Sequence, residues 1–144
     1  MSFVEENDRE RARMSAIVER LDDDALRLPV NEYWTVAGVL GHIAFWDARV
    51  EALCAKFLRG EPFADEDDEP EDVWWINDAS RPLIHAIPPA EAARLALEIA
   101  KSTDAVVASI PAERMYPLDQ TSLINPFRSQ HRGEHLDEVE SALP

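Results

Sequence analysis

Thr35-Val-Ala-Gly-Val-Leu-Gly-His-Ile-Ala-Phe-Trp-Asp-Ala-Arg-Val-Glu-Ala-Leu-Cys-Ala-Lys-Phe-Leu-Arg-Gly60 carries Val36, Val39, Leu40, Ile43, Val50, Leu53, Cys54, Phe57 and Leu58 at steps of three and four residues. That is the period of a helix with one broad apolar face, not the alternation of a half-buried strand. Thr35 supplies the hydroxyl of an N-cap, and Gly60 the stop. Upstream, Met14, Ile17, Val18 and Leu21 share a face on a first helix read from Phe3 to Leu28 and closed by Pro29. These two helices are expected to form an antiparallel pair.

Downstream, the stretch Glu61 to Asp72 holds eight acids, no base, and two prolines, Pro62 and Pro70. It is long enough to carry the chain from one end of a bundle to the other, as a crossover. Asp72 can cap a short helix through Val73, Trp74, Trp75 and Ile76 that ends before Pro82 or at Pro88. Pro89 suits a first helical turn, Glu91 favours the positive end of the dipole, and the helix runs to Ile110, where Pro111 stops it. A loop with Pro117 leads to a last helix from Pro126 to about Leu143. Four glycines and no sustained alternation of Val, Ile, Thr or aromatic residues leave little material for strands. The fold class read from this pattern is all-α: an up-down four-helix bundle with a long crossover and one short extra helix, residues 1–144 forming a single domain.

The 144 residues include 14 basic and 29 acidic ones, for a net charge of −15. Such a chain repels a phosphate backbone and an anionic lipid surface, so neither nucleic acid nor membrane is an expected partner. No apolar run approaches the length of a membrane span. The acidic start, Met1-Ser-Phe-Val-Glu-Glu, is unlike the basic start of a signal peptide, and the expected location is the cytoplasm. Cys54, the single cysteine, allows no intramolecular disulfide and falls at the centre of an apolar face, as an inert thiol would. Neither a glycine-rich phosphate loop nor a Gly-x-Ser-x-Gly elbow is present.

Chemistry concentrates in Pro126-Phe-Arg-Ser-Gln-His-Arg-Gly-Glu-His-Leu-Asp-Glu-Val139. His131 and His135, at i and i+4, project from one helix face one turn apart, a spacing that can bring two nitrogens onto one metal ion. At 100° per residue they share the stripe of Ile124, Phe127, Val139 and Ala142, which should face the core. Two core histidines are costly to desolvate unless carbonyls, carboxylates or a metal satisfy them. His42, at the edge of the apolar arc of the second helix, offers a third ligand, whereas His85 reads as a surface residue. The string His131-Arg-Gly-Glu-His135 also fits the motif of inverted zinc proteases, but Glu134 points away from the pair and the chain offers no third ligand well downstream. Trp46 and Arg49 lie one and two turns beyond His42, where they either line a substrate pocket, with Arg49 holding an anionic group, or serve as core aromatic and surface cation. Arg128, near the His135 edge of its helix, poses the same choice.

The run Tyr33-Trp-Thr-Val-Ala-Gly-Val-Leu-Gly-His-Ile-Ala-Phe-Trp-Asp47 resembles the second-helix signature of the DinB-like superfamily, with Trp34, Thr35, Leu40 and His42 on its pattern. The closing His131-x-x-x-His135 resembles the last helix of that family, and Trp75-Ile-Asn77 its middle helix. The resemblance implies a bundle with a crossover, often dimeric, whose three histidines hold one divalent ion. Here these would be His42, His131 and His135, and three imidazoles suit zinc, nickel or iron. Relatives of known activity include S-transferases using bacillithiol or mycothiol and mycothiol-dependent maleylpyruvate isomerases. The implied function is metal-dependent transfer of a low-molecular-weight thiol to an electrophilic small molecule. Metal-assisted hydrolysis and a non-catalytic structural dimer are the alternatives. A homodimer would cover aromatic surface such as Trp74 and Trp75. The acidic run follows the far end of the second helix, about 27 Å from His42 at 1.5 Å per residue, and is expected to lie away from the site.

Overall fold

The computed structural model describes residues 2–62, 64–111 and 124–144, and the loop with Pro117 lies outside them. α1 spans Phe3–Glu19 and opens on a capping box, Ser2 Oγ accepting from the Glu5 amide and the Glu5 carboxylate from the Ser2 amide. It does not continue to Leu28. Asp22 instead starts a one-turn α2, Asp23–Leu26, by accepting from the Ala25 amide at 2.8 Å. The three successive aspartates thereby sit at a helix start, which the dipole favours, rather than in mid-helix.

α3 is Val36–Leu58, capped by Thr35 Oγ1 accepting from the Gly38 amide at 3.0 Å, and Gly60 follows it with φ +75°. Beyond a single 3-10 turn at Asp65–Asp67, α4 spans Trp74–His85, its first amide donating to Asp72 Oδ1 at 3.0 Å. It runs through Pro82 and ends at His85, between the two expected stops. A proline there removes one bond to the Asp78 carbonyl, and both residues are on the exposed side, where water takes that acceptor. α5 is Pro89–Ser109 and α6 is Arg128–Ala142. All six helices among the described residues, and no strand, make this an all-α bundle.

Four long helices form the bundle: α5 packs on α3 and α1, and α6 on α1 and α3. α1 and α3 therefore occupy opposite corners, and the direct pair expected of them gives way to α3 on α5. Small residues on α5 permit that close approach, with Ala92, Ala93, Ala96 and Ala100 buried against Val36, Val39, Leu40 and Ile43 of α3. Met14, Ile17, Leu136 and Val139 complete this core from α1 and α6. A second cluster joins Val50, Leu53 and Cys54 to Val107, Ile110 and Ile124. Burial pushes the Cys54 thiol up to about 11, which fits the inert role.

Helix directions follow from the cross-links. Thr103 Oγ1 on α5 donates to the Asp47 carbonyl on α3, and Val107 packs beyond it beside Val50 and Cys54, so α3 and α5 run parallel. Two consecutive long helices can run parallel only if the chain crosses the bundle between them, which residues 59–88 do. That return has a consequence for the acidic run: it does not stay at the far end of α3. Lys56 Nζ holds Asp67 Oδ2 at 2.5 Å, and one to two turns back along α3 Arg49 Nη2 donates to the Asp67 carbonyl at 2.8 Å. α4 then lies tightly on the first half of α3. A Cβ at Gly41 would stand 2.6 Å from Ile84 Cγ2, so only glycine allows the approach.

Candidate metal centre

His42 faces α6 from the second turn of α3, and His131 and His135 face it from α6. Nitrogens of all three, one from each ring, lie within 4.8 Å of one another. His131 Nε2 and His135 Nε2 are 3.2 Å apart, and the His42 ring centre is 5.2 Å and 4.7 Å from theirs. Two nitrogens bound to one tetrahedral ion at 2.0–2.1 Å stand about 3.4 Å apart, so the spacing suits a shared ion. The donor chemistry agrees: each ring offers one nitrogen to the shared point, and on His131 and His135 that nitrogen is Nε2, with Nδ1 on the outer side of the ring. Glu138 Oε1 comes to 3.5 Å from His135 Nδ1, on the side away from His131 Nε2, where a carboxylate orients a ligating imidazole. The three side chains fit a divalent ion.

Burial holds the His42 and His131 rings neutral. Desolvation, then the nearness of His135, lowers the His42 pKa to about 4, and the same two causes lower that of His131 to about 2. Only a neutral imidazole has a lone pair to give a metal. His85 does not join the group. It is exposed at the end of α4, its ring 5.4 Å from that of Trp34.

What registers the histidines is a second buried group that sequence reasoning missed. Arg132, next to His131, is fully buried and donates to Asp47 Oδ2 at 2.9 Å and to both Asp104 oxygens at 2.9 and 2.8 Å. Burial alone would lower its pKa, but the Asp104 hydrogen bonds and the Asp47 charge raise it. Arg11 reaches the same Asp104 from α1 at 2.6 Å, so the cluster ties all four long helices together. Arg128 belongs here too. Read from the sequence as a candidate substrate anchor, it is 7% exposed and donates to Asp47 Oδ1 at 3.0 Å, away from the cavity. The signal was present: at 100° per residue Asp47 falls between Leu40, Ile43 and Cys54, an acid in mid-face of an apolar helix. Asn7 of α1 fixes the start of α6, accepting from the Ser129 amide and donating to the Pro126 carbonyl, both at 2.8 Å. α6 has no side-chain cap of its own.

The histidines form the floor of a cavity of about 430 Å³. Trp46 is buried and one edge of it lines the cavity, its indole N–H bonded to Asn77 Oδ1 at 3.0 Å. Arg49 does not line it. It stacks near Trp46, 5.8 Å from the ring centre, and its charge is spent on the Asp67 carbonyl. Tyr33, Trp34 and Trp74 form further walls, and Asn31 Oδ1 holds the Tyr33 and Trp34 amides at 2.8 and 2.9 Å. Glu69 also lines the cavity, so the crossover brings the acidic run to the site instead of keeping it distant.

A helical bundle with a three-histidine group at the end of a cavity defines a class of candidate metal-binding proteins. The chain belongs to the DinB superfamily, whose family model matches residues 6–136. No curated protein and no solved structure matches it. Among the described residues no helix is long and apolar enough to cross a membrane.

Proposed function

We propose that His42, His131 and His135 hold one divalent ion, zinc, nickel or iron, and that the chain uses it to transfer a low-molecular-weight thiol to an electrophilic small molecule. The observation that carries this reading is the convergence of the three rings, with one nitrogen of each within 4.8 Å of the others and His131 Nε2 3.2 Å from His135 Nε2, at an open cavity. An ion held by three imidazoles keeps a coordination position free and acidifies a thiol or water that binds there. The chain's own groups do the remaining work. Glu138 orients His135, Asn77 fixes Trp46, and Asn31 holds the Tyr33–Trp34 turn that walls the cavity from bulk water.

One observation supports metal-assisted hydrolysis as a second reading. No lysine or arginine among the described residues lines the cavity, so a carboxylate-bearing thiol lacks a counter-charge. The test is adduct formation between an uncharged thiol, 2-mercaptoethanol, and 1-chloro-2,4-dinitrobenzene on zinc-loaded protein. Thiol transfer predicts adduct formation above background that His131→Ala abolishes; zinc-dependent ester hydrolysis without adduct favours the second reading, and neither activity on zinc-loaded protein favours a structural site.

We also propose a homodimer through the outer face of α4. Trp75 and Leu83 there are 61% and 74% exposed, a large apolar outlay for a helix whose main helix contact is α3. Light scattering across the micromolar range should give twice the chain mass, and a monomer mass would remove the idea.

A further inference from the structure

We infer that the cavity above the three histidines takes a positively charged organic ligand, a small molecule bearing an ammonium group, and turns anions away. This rests on reading the histidine cavity as the binding site and adds its charge preference. Three carboxylates line it, Glu32, Glu69 and Glu138, each from a different part of the chain: the turn before α3, the crossover, and α6. Among the described residues no lysine or arginine lines it to balance them. The walls between are aromatic, and an ammonium is held by ring faces and carboxylates together.

The rings already behave as cation platforms. Arg81 lies over Tyr33 and Trp34 at 4.9 and 5.0 Å from the ring centres, with its charge matched by Asp78 at 2.8 Å. Arg49 lies over Trp46. Neither arginine lines the cavity, whereas Trp74, over which no arginine lies among the described residues, is 67% exposed at the rim, and Tyr33 is 48% exposed. Exposed rings at the mouth of a cavity gain from an occupant that covers them. On the floor His42, 5% exposed, presents a buried nitrogen without a partner, so the cavity offers recognition at both ends. The chain's net charge of −15 further steers cations toward it.

The test uses three probes of similar size and shape: choline, its neutral isostere 3,3-dimethylbutan-1-ol, and the anion 3,3-dimethylbutanoate. Binding is read from the tryptophan fluorescence of the full chain, zinc-loaded and metal-free, with metal content measured separately. Choline should bind about tenfold tighter than the neutral alcohol, about 1.4 kcal/mol, and the carboxylate weakest on metal-free protein. Replacing Glu32 and Glu69 together by Gln should cut the choline preference to about threefold, about 0.65 kcal/mol, and leave the alcohol's affinity and the circular dichroism unchanged. Equal binding of choline and the alcohol, no choline binding, or a preference for the carboxylate on metal-free protein would overturn the inference. A chain that binds no metal but keeps the choline preference would overturn the metal reading alone.

Discussion

Two buried polar groups lie between α3 and α6, about one turn apart, and they are completed in different ways. In the first, Asp47, Arg128, Arg132 and Asp104 close on one another with hydrogen bonds of 2.8 to 3.0 Å. In the second, nitrogens of His42, His131 and His135 converge within 4.8 Å of one another, and between the rings the one hydrogen bond is His131 Nε2 to His135 Nε2 at 3.2 Å. Both pay desolvation, and only the first recovers it within the chain. The saturated group is a fastener: it sets the register of α6 on α3 at Asp47, five residues from His42. The unsaturated group is what that register holds in place, and its open nitrogens ask for something from outside the protein.

The largest expected effect breaks the fastener. Asp47→Ala leaves two buried guanidiniums without their shared carboxylate, and should cost about 3–5 kcal/mol of stability in urea denaturation. If the loss were below 1 kcal/mol, the cluster would not be what orders the four helices. Next comes pH, which acts on the open group. The folded-state pKa of His42 lies near 4, below the 6.5 of an unfolded chain, so between those values the unfolded chain binds more protons. Stability of the metal-free protein therefore falls as pH drops from 6.5 toward 4, by roughly 3 kcal/mol from His42. Thermal melting against pH checks the direction; a melting temperature flat over that window would mean that His42 is not held neutral by burial. The smallest effect sharpens the contrast. His131→Ala gives up one contact, Nε2 to His135 Nε2 at 3.2 Å, together with the desolvation cost of a buried imidazole, and metal-free stability should stay within about 1 kcal/mol of the parent.

Local chemistry made much of this legible in the sequence. The Thr35 cap, the apolar face of α3, the Pro89 start of α5 and the crossover are all carried by residue type and spacing. The i, i+4 pair on α6 marked the site because histidines on an apolar stripe stand out. What sequence could not show is set by non-local packing. The division of the first helix at Asp22 is the exception, a local one: three adjacent acids are better placed at a start than in mid-helix. α1 and α3 part company because the alanines of α5 offer α3 a closer neighbour. The acidic run returns to the site because Arg49 and Lys56 pull Asp67 back along α3, a pairing across 18 and 11 residues that no periodicity encodes. Arg128 looked like a free cation for the same reason: its partner, Asp47, lies 81 residues away.

The comparison turns on whether the open group is completed by a metal, and elemental analysis of untagged protein expressed in supplemented medium tests that most directly. The account predicts about one divalent ion per chain. His131→Ala and His135→Ala should each lose most of it, by at least tenfold in affinity, while retaining the helical content of the parent. Protein that binds no metal, or His131→Ala and His135→Ala variants that keep full occupancy, would contradict it.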